Sequence, residues 1–80
     1  MPSRLVLYGR PDCHLCDEAR QGLGELLAEG YGFELEEVDI DSDDALLLRY
    51  LERIPVIELD GEIVCELFLN ADALRAKLRT

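Results

Sequence analysis

Basic residues are scarce in this chain: eight Lys and Arg stand against eighteen Asp and Glu, for a net charge of -10. Such an excess repels phosphate backbones and anionic bilayer surfaces, which argues against nucleic acid and membrane as partners. Long apolar runs are missing as well, and nothing approaches the ~20 consecutive apolar residues of a membrane span. The opening "MPSRLVLYGR" has only four apolar residues in a row before Gly9 and Arg10, too few for the core of a secretory leader. Cysteines are few and odd in number, three in all, unlike the dense even count of a secreted disulfide scaffold. A reducing, cytoplasmic compartment is the expectation. Internal repeats, low-complexity tracts and linkers are absent, so residues 1–80 are expected to form a single domain and a monomer, with 49% hydrophobic residues ample for one core.

What remains is a dense alternation of strand and helix signals. "LVLY", Leu5 to Tyr8, is a continuous β-favouring run suited to a strand covered on both faces. "GRPD" breaks it, and Asp12 is placed to cap a helix carrying Leu15, Ala19, Leu23, Leu26 and Leu27 on one side, ending at Gly30 or Gly32. "FELEEVDID" alternates with a change of phase after Leu35, which predicts an edge strand with a one-residue bulge. "DSDDALLLRYLER" predicts a second helix with Ser42 as its cap. "IPVIEL" and "EIVCEL" flank Asp60-Gly61, the pair that best supplies positive φ at both centres of a type I′ turn, and predict a hairpin. Asn70 caps a short last helix with Arg75, Lys77 and Arg79 near its negative end. The order is β-α-β-α-β-β-α: an α/β fold with a four-stranded mixed sheet flanked by three helices.

The chemistry concentrates in "CHLC", residues 13–16. Positions i and i+3 on a helix lie on one face with β-carbons ~5–6 Å apart, close enough for a disulfide to open and close. Cys13 in the first turn would face unpaired backbone N–H groups, an environment that lowers a cysteine pKa from ~8.5 into roughly the 3.5–7.5 range. This assigns Cys13 as nucleophile and Cys16, one turn deeper, as the resolving thiol. Arg10 either adds positive potential at the sulfur or is a solvated surface charge, and His14 favours the thiolate only when charged. Asp12 opposes both.

Two other readings of the same cysteines stay open. C-x-x-C is also half of a zinc or iron–sulfur site, but the remaining ligands would have to come from His14 and Cys65, and Cys65 reads as a small buried hydrophobe on one face of its strand with Ile63 and Leu67. A binding module that uses the fold without turnover is the other.

The sequence resembles the glutaredoxin branch of the thioredoxin-fold family. The resemblance rests on a strand followed by "CHLC" opening a helix, on "IPV" at the start of the third strand, and on the element order, and it spans nearly the whole chain. It implies a cis Ile54-Pro55 bond beside the dithiol and a thioredoxin-like architecture. Ile54 and Pro55 would then contact substrate through the backbone, with Arg53 facing the same groove. Glutaredoxins carry Pro-Tyr where His14 and Leu15 stand, and a Gly-Gly before the last helix where this chain has "LFLNAD", leaving Asn70 and Asp72 as candidate contacts for the glutamyl end of glutathione. The resemblance thus implies an oxidoreductase with no tightly bound cofactor and glutathione as a weak co-substrate. Its partners would be a disulfide-containing protein or low-molecular-weight thiol and an external electron donor.

Overall fold

The computed structural model describes residues 3–79. The apolar opening run forms β1 (Ser3–Gly9), followed by α1 (His14–Ala28), β2 (Phe33–Asp39), a single 3₁₀ turn (Ile40–Ser42), α2 (Asp44–Tyr50), β3 (Val56–Leu59), β4 (Glu62–Glu66) and α3 (Ala71–Leu78). The strands form one sheet in the order β2-β1-β3-β4, with β1 and β2 parallel and the other neighbours antiparallel. The β-α-β-α-β-β-α order and the mixed four-stranded sheet are those expected.

Two apolar clusters fix the layers. Leu5 and Leu7 of β1, Ile57 and Leu59 of β3 and Cys65 of β4 pack with Ala19, Leu23 and Leu26 of α1 and Leu74 of α3. On the opposite side Tyr8 and Val56 meet Ile40 and α2 through Leu46, Leu47 and Tyr50. Alternate residues of β1 therefore enter different clusters, as the two-residue side-chain period of a strand between helices requires.

Helix α1 ends as its glycine suggests. Gly30 has a φ of 100°, its N–H donates to the Leu27 carbonyl, and the Tyr31 N–H donates to Leu26, the paired bonds of a Schellman cap. Gly22 interrupts no helix; it provides a hollow, because a β-carbon there would lie 2.3 Å from the Leu69 Cδ2 atom. The Asp60-Gly61 turn has φ of 51° and 87°, the positive pair of a type I′ hairpin.

Several details depart from expectation. The α1 cap is Cys13, not Asp12, which adopts a left-handed φ of 60° in the preceding turn. The buried face of α1 is Cys16, Ala19, Leu23 and Leu26, so the predicted face holds at Ala19, Leu23 and Leu26, while Leu15 and Leu27 at its two edges are exposed and Cys16 takes the inward place in the first turn. Strand β2 has no bulge: it pairs with β1 in unbroken register from Phe33 to Asp39. Its change of phase arises because Phe33 joins the cluster under α1 while Ile40, already in the 3₁₀ turn, joins the one under α2. The bulge lies instead in β4, where Ile57 pairs with Cys65 and Glu58 with Ile63, leaving Val64 as the extra residue. Cys65 is consequently buried while Ile63 and Leu67 are exposed, and the three do not share a face. Helix α2 is capped by Asp43, which accepts from the Ala45 and Leu46 N–H groups, rather than by Ser42.

Candidate functional site: the Cys13–Cys16 dithiol

Strand β1 delivers the chain at Gly9 to a loop of Arg10, Pro11 and Asp12, and α1 starts immediately afterwards. Cys13 is the last extended residue before the helix, and its Sγ accepts the Cys16 N–H at 3.1 Å. The sulfur thus takes the place a Ser or Asp oxygen holds in most helix caps. Its position differs from the predicted first turn by one residue, and it still faces N–H groups that lack intrahelical partners. Cys16 is fully buried, Cys13 is partly exposed, and the two are joined as a disulfide with Cα atoms 5.2 Å apart.

Gly9 is the residue of this site that sequence reasoning missed. A β-carbon at Gly9 would stand 3.1 Å from the Cys16 Sγ, so the bare backbone makes room for the buried sulfur. Glycine at the last position of a strand feeding a C-x-x-C helix is the signal that was available. Continuing the β1–β3 register by one residue beyond Tyr8↔Val56 brings Gly9 level with Pro55, which is buried and follows a cis Ile54-Pro55 bond. The dithiol and the proline therefore flank the same end of β1.

The other candidate residues are engaged within the chain. The Arg10 Nε lies 3.0 Å from Asp41. Arg53 pairs with Glu66 and lies over the Tyr50 ring, its guanidinium carbon 5.3 Å from the centroid. The His14 Nε2 lies 3.5 Å from Glu18, and Leu15 projects outward between the two cysteines. Ile54 is half-buried against the α2 cluster. The Asn70 Oδ1 accepts the Ala73 N–H at 3.1 Å and so caps α3, and Asp72 pairs with Arg75 at 3.0 Å. The start of the "LFLNAD" segment closes the surroundings: the Leu67 N–H donates to both the Arg53 and Pro55 carbonyls at 3.0 Å, and the Leu69 side chain fills the Gly22 hollow.

The third cysteine lies elsewhere. Cys65 is buried in the α1/α3 cluster, its Sγ 3.9 Å from the Asn70 carbonyl, and burial pushes its thiol above the usual range. Among the described residues no three His, Cys, Asp or Glu side chains are grouped to hold a metal ion, and no helix is long and apolar enough to cross a membrane.

A C-x-x-C pair at the start of the first helix, with a cis-proline level with the end of the central strand, defines a thioredoxin-fold protein with a cysteine pair at disulfide distance. Among solved structures, the N21Q mutant thioredoxin from Halobacterium salinarum NRC-1 is 28% identical with a TM-score of 0.66, over 98% of this chain and 73% of that one. Within that class, the family described as Glutaredoxin-like domain (DUF836) matches residues 4–79, and the chain belongs to it. Two further solved structures are similar over almost their full lengths. Protein Ne2328 from Nitrosomonas europaea is 37% identical, with a TM-score of 0.82, 96% of this chain and 92% of that one covered. Target protein XcR50 from X. campestris is 38% identical, with a TM-score of 0.75, 94% and 95% covered. No curated protein matches the chain.

Proposed function

We propose that this protein is a thiol-disulfide oxidoreductase that reduces disulfides through Cys13 and Cys16. The observation that carries this reading is the asymmetry of the pair: one sulfur partly exposed at a helix start, the other fully buried and bonded to it. In the reduced form the N–H groups at the start of α1 favour the Cys13 thiolate. That thiolate attacks a substrate disulfide, forming a mixed disulfide and releasing one thiol. Cys16 then loses its proton and attacks the Cys13 Sγ, releasing the second thiol and restoring the Cys13–Cys16 disulfide. Two electrons pass from the pair to the substrate, and an external thiol donor, glutathione or a dithiol reductase, returns them.

The test is a redox titration with thiol trapping. Equilibrated in dithiothreitol mixtures, the wild-type chain is expected to show one two-electron couple that Cys13→Ser removes, and Cys16→Ser should accumulate as a mixed disulfide with its substrate. A pair that stays in one state across the whole range would leave only a non-catalytic module.

A further inference from the structure

Resting on the redox reading above, three observations bear on the kind of disulfide that reaches Cys13. The first is that the cations around the start of α1 are already matched by the chain's own carboxylates. Arg10 is held by Asp41, Arg20 by Asp17 and Glu37, Arg53 by Glu66, and the His14 ring lies against Glu18. An anionic disulfide would have to displace these partners to find a counter-charge, on a chain of net charge -10.

The second is a cavity of about 450 Å³ on the β1/β2 side of α1, adjoining the loop that ends at Cys13. Asp12, Asp17, Glu37 and Asp39 line it together with Arg10 and Arg20; Asp17 and Glu37 are taken by Arg20 and Asp39 accepts the Asp41 N–H, which leaves the Asp12 carboxylate and a local excess of negative charge to face the hollow. The third lies on the other flank of α1, toward β3 and β4. The Leu67 N–H is tied to the Arg53 and Pro55 carbonyls and Leu69 is seated over Gly22, which fixes the segment at both ends while Leu67 and Phe68 stay 52% and 61% exposed. Leu15, between the cysteines, is 47% exposed. The hollow thus adjoins the loop that leads into Cys13, and the apolar segment is tied to Pro55, level with the end of β1 from which that loop leaves.

We propose that the disulfide taken by Cys13 belongs to a polypeptide whose cysteine has a basic residue on one side and a large apolar residue on the other. The basic side chain enters the cavity beside Asp12, where the lining carboxylates outnumber the arginines, and the apolar one rests on Leu67 and Phe68. The chemistry is that already written: the substrate S–S bond breaks as a bond to the Cys13 Sγ forms, the first thiolate leaves and takes a proton from solvent, and closure with Cys16 releases the polypeptide as a thiol. The surface selects by charge and apolar area rather than by a glutathione-shaped pocket.

Single-turnover reduction by the dithiothreitol-reduced full chain tests this, with excess reductant removed. The probes are short peptides carrying one cysteine as its mixed disulfide with 2-mercaptoethanol, flanked by Lys and Phe, by Glu and Phe, or by Lys and Ser, together with glutathione disulfide and 2-hydroxyethyl disulfide. The Lys/Phe peptide is expected to react about tenfold faster than the Glu/Phe peptide, and that ratio should narrow between about 0.05 M and about 0.5 M salt. Phe68→Ser, a change at an exposed side chain, is expected to lower the Phe-over-Ser preference about fivefold. Equal rates on all peptides, or a preference for the acidic peptide or glutathione disulfide, would overturn the inference while leaving the redox reading standing. Failure to reduce any probe, the neutral 2-hydroxyethyl disulfide included, overturns both.

Discussion

Cys16 and Cys65 are both buried, 0% and 5% exposed, yet their surroundings differ in kind. The Cys16 sulfur lies against the bare backbone of Gly9 and is bonded to Cys13, which opens toward solvent at the start of α1. The Cys65 sulfur faces the Asn70 carbonyl within the cluster shared by α1 and α3, in an apolar setting that favours the protonated thiol. Burial alone therefore does not separate a disulfide-bonded cysteine from a free one. The difference lies in the neighbour: a partly exposed sulfur within bonding reach turns a hidden cysteine into half of a disulfide.

The sharpest way to break this contrast is to exchange the two kinds of cysteine for inert residues. Cys13→Ser is expected to abolish disulfide reduction, whereas Cys65→Ala should keep the two-electron couple and cost about 1–2 kcal/mol in urea unfolding. Loss of the couple in Cys65→Ala would show that the third thiol takes part. Next in size is accessibility: in the reduced native protein, iodoacetamide should modify Cys65 on the order of a hundredfold more slowly than Cys13, with the gap closing in denaturant. A smaller effect is expected for Gly9→Ala, whose new methyl group crowds the Cys16 Sγ. Closure of the pair should slow several-fold, read by stopped-flow thiol release, with little change in the first attack by Cys13.

The smallest effect concerns a contact distant in chemistry from the couple. Arg75 on α3 grips the Glu29 carboxylate at the end of α1 through two bonds of 2.8 and 3.0 Å, holding Glu29 below its ordinary carboxylate range. A depressed carboxylate stabilises the fold when ionised, so its contribution is present near neutrality and lost as acid protonates it. The melting temperature of Glu29→Gln should lie slightly below wild type at about pH 7 and converge with it toward about pH 3, with the redox couple unchanged. A gap that widened in acid would contradict the assignment of this ion pair.

Much of this was legible in the sequence, and the failures share a cause. Strand and helix order followed from periodicity, and Asp60-Gly61 named its own turn because few dipeptides supply two positive φ values. The cysteine spacing named the site. The face of α1 followed at Ala19, Leu23 and Leu26 but not at its first turn, because Leu15 and Cys16 both continue that helical series; which one is buried depends on where the sulfur finds room, and Gly9 supplies that room from another element. Asn70 caps α3 as expected, but the caps of α1 and α2 were misread for a similar reason. Asp12, Ser42 and Asp43 are all competent capping residues, and the choice among neighbours is set by the entering backbone, as the left-handed φ of 60° at Asp12 illustrates. Val64 as the site of the bulge was invisible because a run such as "EIVCEL" carries no local mark of the residue its partner strand will skip.

The amide of Cys16 links the backbone to the state of the Cys13–Cys16 disulfide. Its proton is held by the Cys13 Sγ, so the same sulfur that bonds to the Cys16 Sγ also completes the first turn of α1. Opening and closing the couple must then register on that single peptide group, whose proton and nitrogen resonances provide a natural gauge of oxidation state requiring no added label.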